Sequence, residues 1–445
     1  MKGFTSMKSM SIRTCIPLFL AAFAGFHAHD SLAQNLISFN FATASAQGVT
    51  PDNQLGAAET AGAASYNAAN WNNLRSDWSG NSGAVPATLL YNDGTTVSGL
   101  TISYDGPNAY NNGIGTTTGD QKLMRNYMDS GTGDSPYVRL SGMPYRKYDL
   151  VVYADGDGGS GEVLGPDVIR YNTNVSQAAQ QAEVDTNLSQ LVRSPAWLKE
   201  TGNFSGSYTL VNSATSTSVA GAASGNYLVF PGLKGNITID PTQTTGVSRA
   251  PLNGFQIVKW ETHSAIPGAD DATAKVALYG GNVTVSANRT IGSLATSVGT
   301  GGDLTISSGI TLTLANGDLD MGDINNWIKG GGNITSGTNV LTINRDISNG
   351  LGYAGGATDS AINGANLVNN GATPLQVVKT GFGTMRITSN QPYTGGTTVN
   401  QGVLELNGGG NGLTGAIRGT ATVNAGATLR LSSSDVTGYG TGSDR

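Results

Sequence analysis

Residues Val377–Gly408 read VVKTGFGTMRITSNQPYTGGTTVNQGVLELNG. Within them Gly383–Thr388 (GTMRIT), Thr397–Asn400 (TTVN) and Val403–Leu406 (VLEL) are short runs rich in β-branched and aliphatic residues. Gly and Asn separate the runs, and those two residues accept the positive φ that a tight corner needs. Each run is too short to bury an apolar face alone. Stacked on copies of itself, it can, so the stretch predicts one unit of a repetitive coil. Met385 and Ile387 on one run, and Leu404 and Leu406 on the next, are expected to stack inside such a coil. Tyr393 is expected to cover a corner, and Thr397 and Thr398 to form part of a hydroxyl ladder.

The same texture extends outward. Asn282–Ser286 (NVTVS), Asp303–Ser307 (DLTIS), Ile310–Leu314 (ITLTL) and Val340–Asn344 (VLTIN) precede the stretch, and Ala421–Asn424 (ATVN) and Thr428–Leu431 (TLRL) follow it. Over 273–445 this predicts a right-handed parallel β-helix. A second antiparallel sandwich is the competing arrangement. The order and spacing of Lys379, Gly381, Gly383 and Thr384, then of Tyr393, Thr394, Gly395, Thr397 and Gly402, carry a further reading. Val377–Gly408 resembles the autotransporter-associated β-strand repeat, also called the passenger-associated transport repeat. Met385 replaces the family's usual Leu, and Pro392 stands where small polar residues are common. The resemblance implies a rigid passenger or stalk that holds something away from the cell. It implies neither a catalytic activity nor a particular ligand.

Before residue 262 the rhythm differs. Trp71, Trp78, Trp197 and Trp260 lie there, and only Trp327 lies after it. Asn35–Phe41, Tyr148–Ala154 and Asn253–Trp260 read as strands. Tyr227–Phe230 and Asn236–Asp240 read as a hairpin around Leu233–Gly235, and Asp155–Gly161 as a turn. Short helices are expected at Asp120–Asp129 and Ser176–Leu191. The expectation for 34–262 is a β-sandwich of jelly-roll type, joined through a linker at 263–272 that contains Pro267 and Gly268. Met143-Pro144 ahead of YDLVVYADGDGG, then YLVF and NGFQIV, is similar to a module found before such repeats in bacterial surface proteins. In outline that module resembles carbohydrate-binding jelly rolls. The fold class is therefore all-β in both parts.

The N-terminus reads as a processing signal. Lys2, Lys8 and Arg13 precede an apolar run, Cys15–Phe26, that is too short to span a bilayer. Ser31-Leu32-Ala33 offers small residues for cleavage, so 1–33 is expected to be removed, leaving no membrane span and a secreted or outer-surface protein. With it go Cys15, the only cysteine, and His27 and His29, so His263 is the one histidine left. Losing Lys2, Lys8, Arg13 and Asp30 turns 24 basic and 30 acidic residues into 21 and 29. An acidic chain of low charge is a poor fit to nucleic acid.

That inventory narrows the chemistry. Disulfides, a histidine-rich zinc site and a Ser-His-Asp triad are disfavoured, and no nucleophile elbow or phosphate-binding loop is present. Lys329, Arg345, Lys379 and Arg386 are scattered in sequence, which argues against a polysaccharide lyase. Asp155, Asp157 and Glu162 are the candidate oxygen ligands for Ca²⁺, although the loop lacks the fifth- and sixth-position residues of a calcium loop. Their alternative is a polar turn. Trp71, Trp78, Tyr104, Tyr110, Tyr127 and Trp197 are candidates to stack on sugar rings, with Arg125, Asn72 and Asp77 as polar partners. The hydrophobic core is the commoner place for such rings. The functional expectation is a non-catalytic surface protein that contacts extracellular glycans or other surface components. The alternatives are an extracellular polysaccharide-degrading enzyme using carboxylates, and a purely structural surface or fibre component.

Overall fold

The computed structural model describes residues 36–42, 53–75, 85–170 apart from 107, 130–135, 146 and 157–162, 196–243 apart from 214–215, 217 and 234, and 251–437 apart from 280, 297–301, 322–326, 346–359, 382 and 409–414. Asn35–Arg445 forms one compact unit. The expected signal at 1–33 and the helix at Ser176–Leu191 lie outside the described residues.

Two six-stranded sheets occupy the first part. One runs in the order Leu210–Asn212, Tyr227–Leu233, Tyr148–Tyr153, Gly254–Lys259, Leu36–Phe41, Asn72–Leu74. The other runs Ala223–Ser224, Leu198–Lys199, Val163–Arg170, Ile237–Gln243, Tyr137–Ser141, Thr101–Asp105. Alternation puts Leu150, Val152, Phe39 and Phe255 of the first sheet into one core with Ile237, Ile239, Val138 and Leu140 of the second. The Phe39 and Phe255 rings stack at 4.6 Å. Val151 and Tyr153 face the other way, into a second cluster with Leu55, Trp71, Leu123, Met124 and Phe204. The first sheet is therefore buried on both faces, and Tyr148–Tyr153 has no exposed residue.

Tyr227–Leu233 and Ile237–Gln243 do not form the expected hairpin. The first pairs with Tyr148–Tyr153 and the second with Tyr137–Ser141 and Val163–Arg170, in the other sheet. Gly232 and Gly235, both at φ 67, let the chain change sheets in the intervening residues. The helix expected at Asp120–Asp129 is shorter. Thr118 caps it in a reciprocal box with Gln121, and it spans Gly119–Arg125. Asn126–Asp129 leave it to pair antiparallel with Asn108–Asn111.

The second part consists of parallel strands. One sheet stacks Val283–Val285, Leu304–Ile306, Trp327–Gly330, Ser360–Asn363, Thr384–Ile387, Val403–Leu406 and Thr428–Leu431. The chain alternates between it and a second parallel sheet, which runs from Glu261–His263 and Asp271–Leu278 through Arg289–Thr296 and Thr311–Met321 to Val340–Asn344, Gln376–Thr380, Thr397–Val399 and Ala421–Val423. Thr311–Met321 bends at Gly317 (φ 74). Its first half pairs with Asn333–Ser336 and its second half with Val340–Asn344, so the middle coils have three straight runs. Chain alternation between parallel stacks is consistent with a β-helix. Ile306, Ile328, Ile362, Leu314, Ile334, Leu367, Leu319 and Ile343 fill its interior.

The two ends of the stretch expected as a linker (263–272) belong to strands of this stack, and 264–270 connects its first two rungs. Glu261–His263 pairs in register with Val276–Leu278 and forms the first rung. It follows Trp260, the residue after the last strand of the first sheet, with no intervening loop.

Candidate functional site

Three of the six rings expected to stack on sugar are buried in packing. Trp71 is buried and donates its indole N–H to the Ala68 carbonyl (2.8 Å). Tyr104 is buried, with its hydroxyl on the Arg75 carbonyl (2.5 Å). Tyr127 is fully buried, and half-buried Tyr110 stacks on it at 6.4 Å. Asn72 is also buried and bridges the backbones of Ser38 and Leu90. Trp71, Tyr104 and Tyr127 thus present no ring face to a ligand. Arg125, two residues before Tyr127, and Trp197 are half-buried, while Trp78 and Asp77 lie outside the described residues.

Of the candidate calcium ligands, Asp155 is buried and accepts a hydrogen bond from the Phe204 amide (2.8 Å). Burial pushes its carboxyl up to about 7, against the pull of that amide. Asp157 and Glu162 lie outside the described residues, and no group of metal-binding side chains occurs among the described ones.

What the fold does assemble is a buried polar junction where the first sheet meets the parallel stack. Asp149 on the strand Tyr148–Tyr153 accepts from the Gly232 amide (2.9 Å), from the Trp260 indole and from the Lys275 ammonium. Lys275 comes from Asp271–Leu278, the second rung of the stack. Lys147, next to the same sheet strand, pairs with Asp320 on Thr311–Met321, and Asn344 donates to the other oxygen of Asp320 (3.0 Å). Trp260 is sandwiched between these pairs. Its ring packs on Ala277 and Ala295, its backbone N–H meets the Lys147 carbonyl (3.0 Å), and Lys147 lies over its ring at 5.9 Å.

The electrostatics follow from burial. Desolvation works against the Lys275 ammonium, but Asp149, with Tyr66 and Asp318, outweighs it and holds the pKa above the ordinary lysine value. Burial and the Asp149 charge raise Asp318 to about 6, while a hydrogen bond from Ser293 (3.3 Å) and the Lys275 charge oppose the shift. Two ion pairs, Lys275–Asp149 and Lys147–Asp320, thus cross the junction, and breaking either would leave a buried charge without its partner.

The strands within Val377–Gly408 are laid down on consecutive coils. Met385 pairs with Leu404 and Ile387 with Leu406, all four fully buried, as their alternation required. Tyr393 sits in the corner between Thr384–Ile387 and Thr397–Val399 and is turned inward. It lies in the core, where its hydroxyl meets Thr397 Oγ1 at 2.5 Å. Thr397 and Thr398 do not head one hydroxyl ladder: Thr397 lies between Val377 and Ala421, and Thr398 between Val378 and Thr422. Lys379 is fully buried, and its ammonium donates to the carbonyls of Thr380 (2.7 Å), Gly381 (2.7 Å) and Gln401 (3.2 Å). Burial and nearby Arg345 bring its pKa down to about 7. Gln391 completes a corner by accepting from the Leu367 amide (2.7 Å) and donating to the Ala365 carbonyl (3.2 Å). A Cβ on Gly395 would stand 2.5 Å from the Leu375 carbonyl of the rung before, so only glycine allows the approach.

Sequence spacing could not pair Asp149 with Lys275 or Lys147 with Asp320, because each pair is joined by tertiary contact alone. The signal that was available was a lysine inside an apolar strand, Ala274-Lys275-Val276.

Comparison with known proteins agrees with this geometry in one place. The family model described as passenger-associated-transport-repeat matches residues 377–406. No curated protein and no solved structure matches the chain. Among the described residues no helix is long and apolar enough to cross a membrane. The matched repeat points to a surface or secreted protein of the passenger type.

Proposed function

We propose that this chain is an exported surface protein without catalysis, in which a β-sandwich module (34–260) rides on a right-handed β-helical stalk that begins at Glu261, ahead of the start expected at 273, and makes adhesive contact with extracellular glycans. The N-terminal 33 residues are removed on export. The observation that carries the reading is the continuity of the matched repeat with the rest of the molecule. Its strands are rungs of a stack whose first rung follows Trp260 directly, and buried ion pairs lock that stack to the first sheet. A stalk needs such a joint, since a hinged joint would not hold a module at a set distance.

A glycan array probed with the exported full-length chain tests the contact. Retention of glycans is the expected result, and no retention of any glycan would leave only the structural role. Mass spectrometry of the exported chain checks the new N-terminus, expected at Gln34.

Asp318, held at about 6 beside Asp149, favours one second reading, a polysaccharide-degrading enzyme with two carboxylates. Asp149 already accepts three donors, which leaves it poorly placed to act as nucleophile or base. Shortening of a polysaccharide on incubation with the protein would establish that reading and overturn the non-catalytic one.

A further inference from the structure

On the outward face of the parallel sheet, register brings distant residues into one column. Asp303 stands beside Trp327, because Leu304 pairs with Ile328. Trp327 pairs with Ala361, Ala361 with Arg386, Arg386 with Glu405, and Glu405 with Arg430. Successive rungs are about 4.8 Å apart, so Trp327 to Arg386 and Arg386 to Arg430 are each about 10 Å. Trp327 is the exposed tryptophan among the described residues, at 40 %. Ala361, between the ring and the Arg386 guanidinium, is itself buried at 2 %, so the solvent-facing groups of the column are Trp327 on one side of it and Arg386 and Arg430 on the other.

The charges in this column are layered. Lys329 pairs with Asp303 (2.5 Å), with side chains 41 % and 24 % exposed. Arg386 and Arg430 grip the two oxygens of one carboxylate, Glu405, at 3.2 and 3.0 Å. Glu405 is only 6 % exposed, against 27 % for Arg386 and 52 % for Arg430. Burial alone would raise the Glu405 carboxyl, but hydrogen bonds from Arg430, Ser432 and Arg386 hold it below the ordinary range. The carboxylates lie underneath and the cations outermost. A chain with a net charge of −6 therefore turns a cationic strip, next to an exposed indole, toward solvent.

We infer that this strip is a binding surface for a linear carboxylated polysaccharide, lying along the stack with one sugar ring on Trp327 and its carboxylates on Arg386, Arg430 and Lys329. An indole face suits the apolar C–H face of a pyranose, and guanidinium suits carboxylate through paired N–H donors. An extended glycan strand advances by close to one rung per sugar, so alternate sugars meet alternate rungs. The inference rests on the glycan-contact reading and moves the contact from the rings of the first part, several of which are core, to the stalk.

The test is affinity electrophoresis of the full-length chain through gels containing polygalacturonate, dextran sulfate or neutral dextran. Wild type should be retarded by polygalacturonate, and less so as salt rises. Trp327→Ala should weaken retardation about tenfold, and Trp327→Phe by less, since a smaller ring still stacks. Arg430→Ala should also weaken it while Arg386 keeps Glu405 paired. Unchanged far-UV circular dichroism and thermal midpoint in each variant exclude a folding defect. Equal binding of polygalacturonate by wild type and Trp327→Ala would overturn this site while leaving the glycan reading intact. Retardation by dextran sulfate as strong as by polygalacturonate, and insensitive to Trp327, would overturn it as bare charge attraction. Trp327-dependent retention of neutral dextran would overturn the carboxylate assignment. Failure to bind any gel polymer, together with a blank glycan array, would remove both readings.

Discussion

Lys275, on the second rung of the parallel stack, forms a buried ion pair with Asp149, on a central strand of the first sheet, 126 residues earlier in the chain. Removing one partner leaves the other charge buried with its hydrogen bonds incomplete. Lys275→Ala should therefore cost about 3–5 kcal/mol. It should also loosen the joint, so thermal unfolding followed by calorimetry should change from one transition to two. A single transition at the wild-type midpoint would mean that the pair does not couple the two parts.

Asp155 gives a pH signature of opposite origin. Its folded value of about 7 lies above the unfolded value of about 3.9, so the folded chain binds the extra proton between them. Its contribution to stability is fully present below the unfolded value and is lost as pH rises through about 7. Asp155→Asn keeps an acceptor for the Phe204 amide without a charge. Its denaturation midpoint should exceed wild type at pH 8 and match it near pH 4. A lower midpoint than wild type at pH 8 would refute the raised Asp155 value.

Lys379 shifts in the other sense. Its folded value of about 7 lies below the unfolded value of about 10.4, so the unfolded chain binds the extra proton across that window. Stability should rise with pH from about 7 to about 10, measured by urea denaturation. Lys379→Met should abolish that rise. It should also cost about 1–3 kcal/mol for each buried carbonyl left without a donor at Thr380, Gly381 and Gln401.

Gly395 tests the close stacking of the repeat. A methyl there would meet the Leu375 backbone at 2.5 Å, and neither backbone can yield without shifting a rung. Gly395→Ala should destabilise by about 1–3 kcal/mol. Gly426, with open space around its missing Cβ but φ of 81, separates crowding from backbone strain: Gly426→Ala should cost less than Gly395→Ala.

Local pattern carried much of the architecture. Short alternating runs with Gly and Asn corners placed rungs such as Leu304–Ile306, Val340–Asn344, Thr384–Ile387 and Val403–Leu406, because a strand's inward and outward residues alternate whatever it stacks on. The Lys-x-Gly-x-Gly-Thr and Tyr-Thr-Gly spacing identified the repeat at 377–406. Less was legible where neighbours in sequence part company. Tyr227–Leu233 and Ile237–Gln243 look like a hairpin, yet enter different sheets, since pairing partners are chosen by the whole core and not by loop length.

The sequence by itself determined that the chain is built of strands, where one repeat lies, and which residues alternate inward along it. Tertiary structure alone decided which rings became core, that Lys275 meets Asp149 and Lys147 meets Asp320, and that Trp327, Arg386, Glu405 and Arg430 share a column. The physical reason is range. Alternation and corner preferences are set by a residue and its immediate neighbours. Ion pairing and stacking depend on coils that return to the same place after some twenty residues or more, at a register that only the packed interior fixes.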